Sequence, residues 1–205
     1  MGLTMRKFKK FFNNKKKNVN LFSEEVNNMT NKDWIQCALM AAIIGVLAPL
    51  AIPLAGGVPI SFETCIVMLC GSLLGSKKGA WSVCIYLLLG CIGIPVFVGY
   101  TAGIGHIFGP SGGFLIGYLI LVYVVGKSTK TVAHLIVGMV IGNLFLYAFG
   151  IIWFMIVSKS TLMAALTWCV LPFIPGDICK MIAVAVVSPI LWRSLPFLNR
   201  DFTRT

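Results

Sequence analysis

The sequence predicts an all-α integral membrane protein: a six-helix transmembrane bundle with both termini in the cytoplasm. Of the 205 residues, 58% are hydrophobic and 11% are charged, whereas a soluble domain is about half apolar and about a quarter charged. The basic residues lie at the two ends and in short gaps between apolar runs, as they do in membrane proteins. A net charge of +11 is also found in nucleic-acid-binding proteins, but this placement favours a membrane and no nucleic acid.

Six apolar runs follow one another along the chain. A helix needs about 20 apolar residues to cross the hydrocarbon core, so six spans leave room only for short connections. We expect spans at residues 34–54, 59–75, 79–97, 112–126, 132–157 and 176–193. The chain is then divided into a basic cytoplasmic tail (1–33), a six-span domain (34–193) and a short cytoplasmic C-terminal tail (194–205).

Glycine and proline mark the breaks between these runs, because both disfavour a helix interior. The sequence Gly75-Ser76-Lys77-Lys78-Gly79 separates the second span from the third. A glycine-rich connection, residues 99–113, follows the third span. Residues 158–175 are expected to form a connection that contains a short apolar helix.

The basic residues also orient the spans. If the N-terminus is inside, cytoplasmic segments hold 15 of the 17 Lys and Arg residues, while Lys159 is external and Lys180 lies within the sixth span. Because Lys and Arg are enriched in cytoplasmic loops, this count favours an even number of spans. We expect a cytoplasmic tail attracted to anionic lipid; a secretory signal is the alternative, but polar residues separate its lysines from the first apolar run.

The seven cysteines do not predict disulfides or a metal site. Their number is odd, no CxxC occurs, and their neighbours are apolar, so packing within helices is the expected role. The two histidines, His106 and His134, have no ligand-spaced partners. No Walker motif or catalytic set is found. We therefore expect no metal, no cofactor and no enzyme activity, and any ATP hydrolysis would belong to another chain.

Two oppositely charged residues near the sixth span are candidates for binding a ligand. Asp177 and Lys180 are three residues apart, so they share one face of a helix. Pro175-Gly176 is interpreted as the helix start, which places Asp177 in the first turn. Such a pair can hold a small molecule that carries both N–H donors and an anionic group. The alternative is that Asp177 offsets the helix dipole while Lys180 extends toward the headgroups.

Two further features have both a structural and a functional interpretation. Glu63 follows Gly56-Gly57-Val58-Pro59 and is either an acid at a helix N-terminus or a ligand contact. Ala38 and Ala42 form a small-xxx-small pattern that lets another helix approach. That helix could belong to the same bundle or to a partner subunit.

Three segments of the sequence resemble a known family. They are AIPLAGGVPISFET (51–64), GCIGIPVFVGYTAGIGHIFGPSGGFLIGY (90–118) and PGDxxK (175–180). Together they are similar to the BioY family, the biotin-specific substrate-binding (S) components of energy-coupling-factor transporters. The six-span layout agrees with that family over the whole core.

The resemblance implies a protein of the cell membrane that captures biotin on the outer side. It also implies partners: a transmembrane coupling protein and two cytoplasmic ATPase subunits, with Ala38 and Ala42 as the docking face. By position in the motif, Asp177 and Lys180 would contact biotin. We assign Asp177 to the ureido group and Lys180 to the carboxylate, and the opposite placement through water is the alternative.

The remaining expected contacts lie in the two glycine-containing connections and beside them. The resemblance implies substrate contacts by Glu63, by Tyr100 and by the backbone near Gly57. The family often has glutamine at position 63, glycine at position 100 and threonine at position 111. Tyr100 would stack on or hydrogen-bond the ligand, or serve only as an interfacial aromatic residue.

Two other functions stay open at this point. The first is an S component for another vitamin or for a transition metal, although metal-specific relatives would want several histidines near the N-terminus. The second is a membrane-embedded enzyme, which would need a cluster of polar catalytic residues facing one cavity.

Overall fold

A computed structural model of the chain describes residues 29–52 and 60–195. Most of the predicted N-terminal tail, the segment with Gly57 and nearly all of the C-terminal tail lie outside them. The chain divides into two compact units, Met1–Ile35 and Gln36–Thr205. In the first unit, the backbone N–H of Thr30 donates to Asp33 Oδ2 (2.9 Å) where a helix begins, a cap that satisfies a free backbone donor. The site described below belongs to the second unit.

The described residues are helical apart from one short hairpin and the connections. The helices are α1 (Asn31–Leu47), α2 (Glu63–Cys91), α3 (Ile104–Ile107), α4 (Gly112–Lys127), α5 (Val132–Ser158), α6 (Leu162–Cys169) and α7 (Phe173–Ser194). The hairpin pairs β1 (Ala51–Ile52) with β2 (Ile60–Ser61) in antiparallel register. The all-helical class is therefore confirmed for these residues.

Helix α1 ends earlier than the sequence pattern predicted. The expected span ran to residue 54, but the helix stops at Leu47 and the chain enters β1 at Ala51. Pro49 explains the difference, because its ring disfavours a helical conformation for the residue before it and it has no N–H to donate.

Helix α2 is two helical segments joined at Gly75. This residue has a φ of 77°, a left-handed conformation that glycine adopts without steric cost. The segments run antiparallel: Gly71 and Gly79 lie side by side, and the Tyr86 hydroxyl reaches Glu63. The predicted break between the second and third spans is thus confirmed. The second segment ends at Cys91 rather than residue 97, before Gly93 with a φ of 107°.

Helix α4 packs between α2 and α5 through close glycine contacts. A Cβ atom on Gly126 would lie 2.3 Å from the backbone nitrogen of Ser76, and one on Gly71 would lie 2.8 Å from the carbonyl oxygen of Val122. On the other side, a Cβ atom on Gly142 of α5 would meet the Leu121 side chain at 2.7 Å. Small residues at these positions let the helix backbones approach, as they do in membrane bundles.

The last part of the chain contains the long helix α5, the short helix α6 and helix α7. The short helix predicted in the connection is confirmed as α6. Helix α7 begins at Phe173, so the expectation that Asp177 lies in the first turn is wrong. Pro175 is the third helical residue, where its missing N–H costs nothing because the first-turn donors have no acceptor within the helix.

Two of the described helices are long and apolar enough to cross a membrane by length and composition. They are α5, with a mean hydropathy of 2.3 in its best window, and α7, with 1.7; α4 is apolar but shorter. Only 17% of the α7 window is buried. A helix that is apolar all round yet mostly exposed needs lipid or another chain around it. Neither the number of six spans nor the orientation of the termini is tested by these lengths.

Candidate functional site

A cavity, whose empty volume of about 510 Å³ includes space open to solvent, lies between the start of α2 and helices α4, α5 and α7, beside the segment that contains α3. Its lining is largely apolar but includes two carboxylates, Glu63 and Asp177, two tyrosines, Tyr118 and Tyr147, and His106. An apolar cavity with a few convergent polar groups is the usual form of a ligand site.

Asp177 forms one wall of this cavity and is held by three donors. It is 3% exposed, and its Oδ1 accepts a hydrogen bond from Lys180 Nζ at 2.9 Å. Its Oδ2 accepts from the Tyr147 hydroxyl and from Asn143 Nδ2 at 3.5 Å. The prediction that Asp177 and Lys180 share a helix face is confirmed. A buried carboxylate needs such partners, because an isolated charge in an apolar interior is very costly.

Asn143 has one polar atom without a partner among the described residues. Its side chain lies within α5, its Nδ2 points at Asp177, and its Oδ1 is buried with no donor in reach. A buried acceptor left unpaired costs about 1–3 kcal/mol. Asn143 is not among the residues that line the cavity.

Glu63 lies at the first turn of α2 and is 2% exposed. Its Oε1 accepts from the Tyr86 hydroxyl at 2.5 Å, and its Oε2 accepts from the Tyr118 hydroxyl at 3.3 Å. The backbone N–H of Glu63 donates to Ser61 Oγ at 3.3 Å. Glu63 is thus both the acid at a helix start and part of the cavity wall, so the two interpretations of this residue are compatible.

The connection before α4 reaches the cavity through His106. The His106 ring lies parallel to that of Phe97, with centroids 5.2 Å apart, and its nitrogens are in hydrogen-bond contact with Thr101 Oγ1 at 3.2 Å and Ser111 Oγ at 3.3 Å. Because the ring is half-buried, desolvation lowers the pKa of His106 below its usual value. These contacts join both ends of the connection beside the cavity.

An apolar groove lies behind the Asp177 wall, between α5 and α7. Its empty volume of about 360 Å³ includes space open to solvent, and its lining includes Val140, Asn143, Leu144, Ile178 and Met181. Tyr147 and Asp177 line both the groove and the cavity. Their hydrogen bond therefore separates the two spaces.

The structure brings three of the predicted site residues together. Glu63 and Asp177 line one cavity, and Lys180 is bonded to Asp177 with 11% of its side chain exposed. Tyr100 is 65% exposed and is not among the cavity-lining residues. Gly57 lies outside the described residues, so its predicted role is not tested.

The predicted docking residues lie on the surface of α1. Ala38 and Ala42 are both exposed, next to Leu39, which is 58% exposed. Among the described residues no second helix covers this face. Internal packing of Ala38 and Ala42, one of the two interpretations of the pattern, is therefore not observed within this part of the chain.

Sequence reasoning missed the polar partners of the two carboxylates. Only charged residues were sought in the apolar runs, so Tyr118, Asn143 and Tyr147 were left out. Asn143 and Tyr147 are four residues apart in α5 and share a face, and an asparagine in the most apolar helix was the available signal. Among the described residues no group of three His, Cys, Asp or Glu side chains could hold a metal ion.

Comparison with known proteins gives consistent matches over most of the chain. Residues 17–197 match the BioY family. "Biotin transporter BioY2" of Lactococcus lactis subsp. cremoris (strain MG1363) is 37% identical over 171 residues, which are 81% of this chain and 93% of that protein. "Probable biotin transporter BioY" of Pyrococcus horikoshii is 34% identical and covers 78% of this chain and 96% of that protein.

A solved structure has the same fold. It is described as the S-component for biotin from an ECF-type ABC transporter. The TM-score is 0.74 at 33% sequence identity, and the match covers 80% of this chain and 95% of the solved one. Both the helical arrangement and the sequence therefore agree with one family.

Proposed function

Because this chain belongs to the BioY family, we propose that it captures biotin for uptake across the cell membrane, as the S component of an energy-coupling-factor transporter. The observation that carries the proposal is the buried Asp177–Lys180 ion pair, 2.9 Å long, at the wall of a cavity lined by several polar side chains. A buried pair is retained only where it is well hydrogen-bonded. Asp177, one member of this pair, lines the cavity.

The chemistry of biotin matches the polar groups of this cavity. Biotin has two ureido N–H donors, an apolar thioether ring and a carboxylate. We assign Asp177 to a ureido N–H and Lys180 to the carboxylate, because a carboxylate accepts from N–H and an ammonium donates to an anion. Asn143 lines the groove behind this wall rather than the cavity, and its Nδ2 donates to Asp177.

Three more residues complete the proposed site. Glu63, on α2, contributes a buried carboxyl group to the cavity lining. Tyr100 and the backbone of Gly57 would contact biotin from the two connections. The exposed ring of Tyr100 has room to move against a bound ligand.

For the membrane we propose six spans with the N- and C-termini in the cytoplasm. The support is the position of 15 of the 17 Lys and Arg residues: they lie in the tails, in the two short turns after residues 75 and 126, and, as Arg193, at the last residue of the sixth span. In this orientation the cavity opens toward the outer surface, where biotin arrives. The first of these turns is the break at Gly75 in α2.

As partners we propose a transmembrane coupling protein and two cytoplasmic ATPase subunits. The chain has no nucleotide-binding motif of its own, so the energy for uptake comes from the ATPases. The exposed face of α1 with Ala38 and Ala42 would contact the coupling protein, because small residues permit close helix approach.

A titration of the detergent-purified full chain tests the proposal. We expect saturable binding of biotin, measured by calorimetry, weaker binding of desthiobiotin and none of riboflavin. A folded sample that binds riboflavin or another vitamin and not biotin would support an S component of different specificity. No saturable biotin binding by a folded sample would contradict the proposed function.

A further inference from the structure

The cavity contains more buried acid than buried base. Glu63 and Asp177 both line it and are 2% and 3% exposed. Among the described residues Lys180 is the one ammonium at this site, and its hydrogen bond goes to Asp177. One cation is thus available for two carboxylates in a water-poor space, where an unpaired charge is costly.

Glu63 is the carboxylate without a cation. Its two side-chain partners, Tyr86 and Tyr118, are hydroxyl groups, and it makes no ion pair within the described part of the chain. The segment 53–59, which lies outside that part, contains no charged residue and so cannot supply one. Asp177, by contrast, has an ammonium, a hydroxyl and an amide as donors.

The hydrogen bonds of Glu63 are compatible with either protonation state. An ionised carboxylate accepts from both tyrosine hydroxyls. A protonated carboxyl group donates through one oxygen to a tyrosine, whose hydroxyl oxygen is also an acceptor, and still accepts at the other. A proton can therefore join Glu63 without the loss of a buried hydrogen bond.

The other titratable and charged groups around this cavity come from every helix that packs against it. They are Cys65 and Tyr86 on α2, His106 on α3, Tyr118 on α4, Tyr147 on α5, and Asp177 and Lys180 on α7. The tyrosines donate to the two carboxylates. His106 is engaged by Thr101 and Ser111. Of these groups, Glu63 is the acid that gains most from neutralisation.

We infer that Glu63 is a proton-binding site coupled to the ligand site, so that one proton from solvent joins Glu63 when a carboxylate-bearing ligand enters. The ligand adds a third negative charge where one ammonium is present, and nearby like charges favour the neutral form of a carboxyl group. Protonation of Glu63 relieves this repulsion and keeps the Asp177–Lys180 pair intact. The inference rests on the proposed function, since it takes the ligand to be an anion such as biotin.

Coupled proton uptake has a defined sign. If the complex holds one more proton than the separate protein and ligand, the affinity falls as the pH rises, by at most about tenfold per pH unit. The fall begins above the pH at which Glu63 loses its proton in the free protein. A neutral ligand adds no charge, so its affinity does not follow this dependence.

The test is a calorimetric titration of the full chain in detergent with biotin and with biotin amide. Buffers of different ionisation enthalpy report the number of protons taken up, at several values between about pH 6 and pH 9, where a carboxylate ligand stays ionised. We expect uptake that approaches one proton for biotin and none for biotin amide. Biotin binding with no uptake and a constant affinity overturns the inference and leaves biotin capture standing. Absence of binding of either ligand overturns both.

Two variants identify the group that takes the proton. Glu63→Gln is permanently neutral at this position, so biotin binding should show no proton uptake whatever its affinity. His106→Gln is the necessary control, because protonation of His106 would produce a pH dependence of the same sign; uptake should persist in this variant. Uptake that is lost in His106→Gln and kept in Glu63→Gln overturns the assignment. If Glu63→Gln does not fold, His106→Gln still decides the matter: uptake that is lost in this variant overturns the assignment to Glu63, and uptake that persists supports it.

Discussion

The two ends of the antiparallel helix pair in α2 differ in how closely they pack against α4. At the Gly75 turn, which we call the packed end, Gly71 and Gly126 bring backbone atoms of α2 and α4 into direct contact. At the start of α2, which we call the cavity end, Glu63 and Tyr118 occupy the same helix interface and leave a space of about 510 Å³ beside them. The same two helices thus close at one end and open at the other.

This difference separates the residues that stabilise the bundle from those that bind. At the packed end polar groups satisfy one another: Ser72 Oγ and Ser188 Oγ are 2.8 Å apart, and Trp192 Nε1 donates to the Ser72 carbonyl oxygen. At the cavity end, polar groups face a space that a ligand can enter. Substitutions at the packed end should therefore change stability alone, whereas those at the cavity end should change affinity as well.

The largest effect should come from Gly126→Ala at the packed end. Its new Cβ atom would lie 2.3 Å from the Ser76 nitrogen and 2.4 Å from the Gly75 carbonyl carbon, backbone atoms that cannot rotate away. We expect a loss of stability of about 3 kcal/mol, measured by thermal unfolding in detergent. Gly105→Ala is the matched control, because nothing lies within 4 Å of its Cβ position. Equal melting temperatures for both variants would show that close backbone packing at Gly126 does not stabilise the packed end.

Lys180→Ala should produce the next largest effect, at the cavity end. It removes the ammonium from Asp177 and from the proposed biotin carboxylate. A lost charge-assisted hydrogen bond is worth about 1.5–3 kcal/mol, or about a tenfold to hundredfold loss of affinity. The affinity for biotin amide should fall much less, since it has no anion. Equal losses for the two ligands, measured by calorimetry, would refute the carboxylate assignment.

The same substitution also leaves Asp177 buried without a cation, which destabilises the protein. A second change, Asp177→Asn, removes the orphaned charge, so the double variant should melt at a higher temperature than Lys180→Ala alone. A double variant that melts lower would show that the ion pair is not the stabilising feature of this wall.

Tyr147→Phe should lower the melting temperature and also weaken biotin binding, because Asp177 is then held less firmly at the cavity wall. The hydroxyl donates to Asp177 Oδ2, and a hydrogen bond to a charged group contributes about 1.5 kcal/mol or more. Tyr123→Phe on α4 is the control, because Tyr123 is 43% exposed and contacts Lys127 rather than the cavity. A larger effect of Tyr123→Phe on affinity would contradict the separation of the two ends.

The smallest effect should be that of Ser188→Ala. Ser72 Oγ keeps its bond to the Leu69 carbonyl oxygen at 2.9 Å, so the substitution removes one buried hydrogen bond worth about 1 kcal/mol. We expect a small decrease in thermal stability and an unchanged affinity for biotin. A selective loss of affinity would show that the packed end takes part in binding.

Much of the fold could be predicted from the sequence. The break at Gly75, the short helix α6 and the bounds of α4 and α5 follow from local composition, because glycine, proline and apolar periodicity act within a few residues. The predicted end of α1 and the predicted start of α7 were wrong. Pro49 ends α1 earlier than predicted, whereas Pro175 is tolerated inside the first turn of α7. The effect of a proline on a helix depends on its position in the helix.

About half of the candidate site could be predicted in the same way. The Asp177–Lys180 pair needs only a spacing of three in a helix. The partners of Glu63 could not be derived, since Tyr86 is 23 residues away and Tyr118 is 55 residues away. Their contact depends on the turn at Gly75 and on the glycine packing of α4.

By itself, the sequence determined the apolar helices, the breaks between them and the charged pair on one helix face, because these depend on residue chemistry and on neighbours along the chain. Only the tertiary structure decided that Glu63 and Asp177 face one cavity with Lys180 beside them. The reason is that helix packing brings together side chains far apart in sequence, and the balance of buried charge exists only once they meet.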